Sequence, residues 1–532
     1  MSLLDKATII TTPTAHSNGV LHSIKGGSVA DFDVVRGSAA TRVNAEGLIE
    51  DISILSGELV TNGDFSNGST DWSLGTGWSV SDGKAVANTI GNVNLFQASA
   101  ITSGKIYKAT FEVSDYQSGS VRINLGGAGL TGVGNLYSAN GVYTQYITSD
   151  ATDVYIQGRS SFIGSIDNIS VVEVIDATNI PRIDYTDGTA SILLEPQSTN
   201  LITHSEDFSN AYWTKLGASV SNSFISPDGA DSAYKIVEDT SNGTHRIANT
   251  AGFFVSGETQ SFSCFAKKGE RDFIHIAASS SATLGINSYF DLTNGVIGTN
   301  TSGTASIEDY GNGWYRCSIV GVSSNTGGTA ISIYSAITDN SNSYQGDGTS
   351  GVYIWGAQRE ALPYATSYIP TSGAIATRLA DSVTGAGDAT TFNSTEGVLY
   401  FEGSALTNGK DSRISLSDGT LNNRVSFAYS PTANESYCLV RFNGVQVIQV
   451  LNLPLGGSQT ENIKVAIKYK SGDSKIFING VSVLSSSVTY SAASPDLSEL
   501  KLKDSTGGIG FEGKLKSVIT FNTALTDAEL EC

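Results

Sequence analysis

Residue-by-residue alternation of apolar and polar side chains constrains this chain more than any other feature. It runs through KIYKATFEVS (105–114), SVRINLG (120–126), VYTQYIT (142–148), DVYIQG (153–158) and IDNISVVEV (166–174). It returns in QSFSCFAKK (260–268), FIHIAAS (273–279) and GVYIWGAQ (351–358), then in RVSFAYS and IKVAIKYKSGDSKIFINGVSV beyond Phe392. Successive side chains of a strand point to opposite faces, so this pattern predicts antiparallel strands with one buried face. No helical stretch of useful length interrupts them. Such strands bury their apolar face by pairing sheets, and the expected fold is all-β: three antiparallel β-sandwich modules behind a short N-terminal lead segment.

A repeated phrase marks where modules begin. LVTNGDFSNGSTDW (59–72) and LITHSEDFSNAYWTK (201–215) share an apolar pair and a threonine, then Asp-Phe-Ser-Asn, then Trp72 or Trp213. Their spacing, on the order of 140 residues, is a domain's worth of chain rather than a solenoid period. The expected division is a lead segment at 1–58, sandwiches at 59–175, 200–370 and 392–532, and linkers at 176–199 and 371–391. The lead phrase FDVVRGSAATRVNAEGLIEDI (32–52) is too short and polar to own a core, so its apolar residues must lie on something else. PRIDYTDGTASILLEPQSTN (181–200) is a related phrase, and module 59–175 reads as an insertion between the two.

With 51 acidic against 31 basic residues the net charge is −20, which argues against a nucleic-acid partner. No apolar run is long enough to insert into a membrane, and the first residues lack the charged-then-apolar shape of a signal peptide. Four cysteines (Cys264, Cys317, Cys438, Cys532) are too few for a disulfide scaffold and read as buried free thiols.

Catalytic signatures are missing. There is no HExxH, no paired CxxC and no Walker loop, and five histidines are scattered. Residues 127–132 match GxGxxG, but β-type sequence follows where a dinucleotide site needs a helix. Most acids fall in Asp-Gly turns such as Asp82-Gly83 and Asp418-Gly419, which turn chemistry explains without an active site. The chain therefore reads as a non-enzyme, with a polysaccharide hydrolase as the weaker alternative.

Three resemblances can be stated on these residues. NGDFSNGSTDW with SIDNISVVEV resembles the jelly-roll carbohydrate-binding modules appended to polysaccharide hydrolases. KVAIKYKSGDSKIFINGV followed by GFEGKLKSVITFNTALTDAEL resembles a concanavalin A-type or laminin-G-like sandwich. The frame phrases, SLLDKATIITTPTA, FDVVRGSAATRVNAEGLIE, PRIDY, LLEPQSTN and YIPTSG…TRLAD, resemble structural proteins of tailed bacteriophages, of fibre or spike type, on head or tail. The last resemblance implies a virion protein assembled in the bacterial host cytoplasm. Residues 1–58 would then dock on other virion proteins or on the chain's own copies in a trimer.

The function these resemblances imply is adhesion to a host cell-surface glycan. A particle cement without ligand and a polysaccharide-depolymerising tailspike are the alternatives. Aromatic rings stack on the apolar faces of sugars, so the candidate contacts are Trp72, Trp78, Tyr137 and Tyr143 in the first sandwich, with Tyr212, Trp213 and Trp314 in the second. The alternative for each is that it fills its own core, which is the reading preferred for Trp355. Related jelly-roll modules hold a structural Ca²⁺ between their opening and closing strands. Asp64 and Asp167 occupy the matching positions here, where the alternative reading is a turn residue after Asn62-Gly63 and a strand-edge acid.

Overall fold

The computed structural model describes residues 2–17, 20–52, 56–88, 91–126, 132–174, 178–249, 252–278 and 284–531. The chain divides into two compact units, one made of Met1–Asp51 with Thr178–Cys532, the other of Ile52–Ala177. Nearly every element is an antiparallel strand, and the described helix content is two 3-10 turns and the four-residue helix Asp527–Leu530. No described helix is long and apolar enough to cross a membrane.

In the larger unit, the C-terminal sandwich sets a five-stranded sheet against an eleven-stranded one. The larger sheet is where the expected lead segment goes. Ala7–Ser17 pairs antiparallel with Gly513–Phe521, Ile10 opposite Ile519, and Val20–Ser23 and Phe32–Val35 extend the sheet outward. Ile9, Leu21, Phe32 and Val34 sit in the same core as Leu399, Ile467 and Val518. The expectation that residues 1–58 form a separate docking segment is therefore corrected: the strands Ala7–Ser17, Val20–Ser23 and Phe32–Val35 are part of this unit's sheet and contribute to its core. The short alternating stretch Phe32–Val35, buried-exposed-buried-exposed, is enough for one sheet face. Asn479 and Gly480, both at positive φ, close the tight turn between Ser474–Ile478 and Val481–Ser486.

The second sandwich of this unit packs a seven-stranded on a six-stranded sheet around Ile236, Ile247, Phe262, Ile274, Phe290 and Ile319. Cys264 and Cys317 are register partners on adjacent strands there, yet both are free and buried, as is Cys438 in the C-terminal sandwich. Burial pushes the Cys264 thiol up to about 12, so it stays protonated. Cys532 lies outside the described residues.

The expected linkers contain short paired strands. Ala376–Arg378 pairs with Ser198–Asn200, and Ser382–Val383 pairs with Phe32–Val35. An ionic cluster fixes them. Arg182 donates to Glu195 (2.5 Å) and to Asp381, Arg36 reaches Asp381 at 2.8 Å, and Arg378 reaches Glu195 at 3.3 Å. All five side chains are at most 3% exposed. Ser367 adds its N–H (2.8 Å) and hydroxyl (2.7 Å) to Glu195. Charges taken this far from water persist only when paired, and the frame phrases supply every charged member.

The smaller unit holds seven strands in one sheet, dominated by Ile106–Asn124 and Val154–Val174. Their pairing is irregular between Ser114 and Ser120, and Asp115, Gly119, Ser160 and Ser161 have positive φ nearby. This crease brings both halves of each strand onto one core containing Phe111, Ile123, Ile156 and Ile166. A Cβ on Gly119 would lie 2.6 Å from the Phe162 backbone, so the crease needs glycine there.

Candidate functional site

The repeated phrase builds the same local structure twice. The Trp72 indole N–H donates to the Asn62 carbonyl (3.0 Å) and the ring packs on Phe65 at 5.5 Å. Trp213 donates to the His204 carbonyl (2.8 Å) and packs on Phe208 at 5.0 Å. Asp64 and Asp207 each accept the N–H and hydroxyl of the serine two residues on. The phrase is thus a capped turn with a tryptophan plug.

That burial corrects the expected sugar platforms. Trp72 and Trp78 are 6% exposed, Trp213 1% and Trp314 2%, with Trp355 buried as expected. Trp314 donates to the Ile225 carbonyl and Trp78 packs on Phe162. A flat indole buries more apolar area than other side chains, so the sandwich interiors claim them first. Tyr212 is half-buried against His204 and Trp213. Tyr137 and Tyr143 are half-buried too, stacked at 3.8 Å over Phe111, and the Tyr143 hydroxyl donates to the Ala139 carbonyl.

One position further along the same strand the side chains turn outward. In Gly141–Thr148, Gln145 and Ile147 are buried while Thr144, Tyr146 and Thr148 are exposed, Tyr146 at 57%. This strand is the sheet's edge, and beside it runs an open trough of about 550 Å³ bounded by Gly132, Val133 and Asn135. Gln145 lies in the trough wall. Its Oε1 accepts the Asn135 N–H at 2.6 Å, while its buried Nε2 has no partner among the described residues. A buried amide donor without an acceptor costs about 1–3 kcal/mol. The outward face of the strand therefore offers an exposed ring and two threonine hydroxyls to one bound molecule, while the Gln145 amide is buried on the opposite face. Sequence reading passed over Tyr146, although strict alternation from the inward Tyr143 flags it. The glycine run 127–131 lies outside the described residues.

Asp64 and Asp167 sit in each other's field. Burial raises the Asp167 pKa, the Asn168 N–H and Lys84 oppose, and Glu112 and Asp64 push it further up. This uncompensated negative charge suits a hard cation. However, Asp64 already receives Ser66, and no group of three His, Cys, Asp or Glu among the described residues could hold a metal. The two carboxylates fit Ca²⁺ only as two of its six to eight oxygens.

His275, an isolated strand histidine in the sequence, is stacked between Tyr289 (4.1 Å) and Tyr334 (4.9 Å). Its Nε2–H donates to Asn287 and its Nδ1 accepts from the Asn342 amide, both at 2.8 Å. Burial lowers its pKa, and the ring is a satisfied neutral imidazole. A polar cavity of about 280 Å³ in the larger unit is lined by Asp184, Asp187, Tyr310, Arg316 and Lys514. There Lys514 pairs with Asp187 at 3.0 Å and Arg316 donates to Ser263, so its charges are engaged within the protein.

No protein-family model matches the chain, and no curated protein matches it. Among solved structures it is similar to domain 4 of AbnA, a GH43 extracellular arabinanase from Geobacillus stearothermophilus in complex with arabinotriose. That match has 12% identity, 32% of this chain, 80% of that one and a TM-score of 0.23. The CBM22-1-CBM22-2 tandem domain of Paenibacillus barcinonensis Xyn10C matches at 11% identity over 58% of this chain and 99% of its own, TM-score 0.21. The LG1-3 region of the laminin alpha2 chain matches at 9% over 81% and 95%, TM-score 0.15. At these TM-scores the likenesses carry no weight on function, which rests on the chain's own side chains.

Proposed function

We propose that this chain binds glycans without catalysis, and that the trough beside Tyr146 receives the sugar. The observation that carries this reading is the 57% exposed Tyr146 ring between Thr144 and Thr148 on the outward face of an edge strand. A pyranose presents an apolar face to the ring and hydroxyls to the flanking threonines, which is the mixed chemistry this face offers. Thr144 and Thr148 lie within reach of further hydroxyls.

The frame phrases, by their resemblance, support a place on the surface of a tailed-phage particle, where a sugar-gripping module would serve adhesion to the host cell. A trimer is in keeping with a fibre or spike. A structural Ca²⁺ held in part by Asp64 and Asp167 belongs to the same proposal, its chemistry limited to neutralising two carboxylates at the module's two ends. Incubating the full chain with an array of host-surface glycans tests the reading. Selective retention of a subset supports it; no retained glycan, or new reducing ends appearing during incubation, contradicts it. An image reconstruction of the whole particle tests the location.

A further inference from the structure

The outer face of the five-stranded sheet in the C-terminal sandwich carries three arginines in a chain of net charge −20. Arg424, on Arg424–Tyr429, and Arg441, on Glu435–Phe442, are direct register partners. Arg413 stands on the next strand, Ser412–Ser417. Like charges directly opposite on antiparallel strands repel, so a fold indifferent to this face has no use for the pair.

The nearby acids do not neutralise it. Asp411 grips Arg413 through two bonds, 2.7 Å at Nε and 2.5 Å at Nη2. Asp504 spends both oxygens on its own loop, accepting from Thr506, Gly508 and Ile509. Arg424 makes one long bond to the Ser505 hydroxyl at 3.4 Å, and the Nε of Arg424 and of Arg441 have no partner among the described residues. Burial, then Arg441 and Arg413, lower the Arg424 pKa, with Asp504 opposing them.

These groups surround an open hollow of about 270 Å³, room for a sugar unit or two, whose wall includes Tyr437 and Gln449. We propose that this hollow binds an anionic segment of a cell-surface polysaccharide, a sugar carrying a carboxylate or a phosphodiester. Arg424 and Arg441 would take the anion, and Tyr437 and Gln449 the sugar. The planar guanidinium fork matches the two oxygens of either anion, and a pair of forks facing each other outbids water where one would not. The site lies on a different sandwich from the Tyr146 trough, takes a different class of sugar, and stands or falls separately from it.

The test titrates the full chain with polygalacturonate, for the carboxylate, and with poly(glycerol phosphate), for the phosphodiester. Neutral dextran and duplex DNA serve as controls. The expected result is binding of at least one anionic polymer, weakened roughly tenfold or more by Arg424→Gln with Arg441→Gln and untouched by Tyr146→Ala. Because the double variant removes a repulsion, its melting temperature should stay level or rise. Should it fail to fold, Arg441→Lys keeps the charge and loses the fork, and must weaken binding instead. Binding of neither polymer, unchanged affinity in these variants, or equally tight binding of duplex DNA overturns the proposal.

Discussion

Arg36 and Asp381 lie 345 positions apart in the chain, yet their side chains meet at 2.8 Å with 0% and 1% of their surface exposed. Around them Arg182, Glu195 and Arg378 complete a cluster of three guanidiniums and two carboxylates. Every member comes from a frame phrase that flanks a sandwich, so the phrases act as the clasp of the larger unit.

The clasp should be intolerant of single losses. Removing one partner leaves a buried charge uncompensated, at a cost of about 3–5 kcal/mol. Arg36→Ala leaves two guanidiniums facing two carboxylates and should cost less, whereas Asp381→Ala strips Arg36 of its acid and should lower the unfolding free energy of the larger unit by that order in denaturant titration. A cost under about 1 kcal/mol for Asp381→Ala, the ordinary surface value, would show that the cluster is hydrated.

The same cluster sets an acid limit. Burial raises the Glu195 pKa, but the Arg378 and Arg182 guanidiniums and the Ser367 hydroxyl outweigh it and hold the carboxyl below its ordinary range. A carboxylate whose folded pKa is depressed contributes stability above its unfolded value of about 4.3 and loses it as pH falls below that. Unfolding free energy should therefore drop on acidification below about pH 4, and Glu195→Gln, less stable at neutral pH, should show a shallower drop. Parallel pH profiles for the two proteins would remove Glu195 as the cause.

Residues 2–51 should be indispensable for folding. Ile9, Leu21 and Phe32 are fully buried and Val34 nearly so, and each such side chain contributes about 1.5–3 kcal/mol. Four of them approach the net stability of a whole domain, about 5–15 kcal/mol. Deleting 1–51 should give a chain without cooperative unfolding and with weakened near-ultraviolet circular dichroism. A soluble truncation with an unchanged melting curve would return this segment to the role of an external attachment arm.

Asp167 separates the metal proposal from the metal-free protein. Its folded pKa is raised, so without an ion its charge works against the fold above that pKa, stability rises as pH falls through it, and Asp167→Asn stabilises at neutral pH. A Ca²⁺ bound to the folded state at a hundredfold excess over Kd adds about 2.7 kcal/mol. Calcium should raise the smaller unit's melting temperature, EDTA should reverse the rise, and Asp167→Asn should abolish the response. Identical melting curves with calcium and with EDTA would leave no ion there.

What the sequence made legible was whatever depends on parity. Alternation in Gly141–Thr148 and Ile463–Lys470 fixes strand type and inward face, and the Asn479-Gly480 turn follows from φ chemistry. The tryptophans were misread because exposure is a property of the neighbours: nothing local distinguishes Trp78 under Phe162 from a surface ring. The clasp was hidden for the same reason, since Arg36 meets its acid across 345 residues and reads locally as a polar loop residue. Gln145 and Tyr146 could be read as inward and outward, but the unused amide emerges only once Asn135 is seen to take the other end of the side chain.

The trough beside Tyr146 is the central claim, and calorimetric titration tests it most directly. The full chain and its Tyr146→Ala variant are titrated with the glycan retained most strongly on the array, and Trp72→Phe serves as a core control. Loss of a stacking ring worth about 1–1.5 kcal/mol beyond its area should weaken Tyr146→Ala roughly tenfold at an unchanged melting temperature. Trp72→Phe should lower the melting temperature and leave the affinity alone. Unchanged affinity in a folded Tyr146→Ala protein would contradict the account.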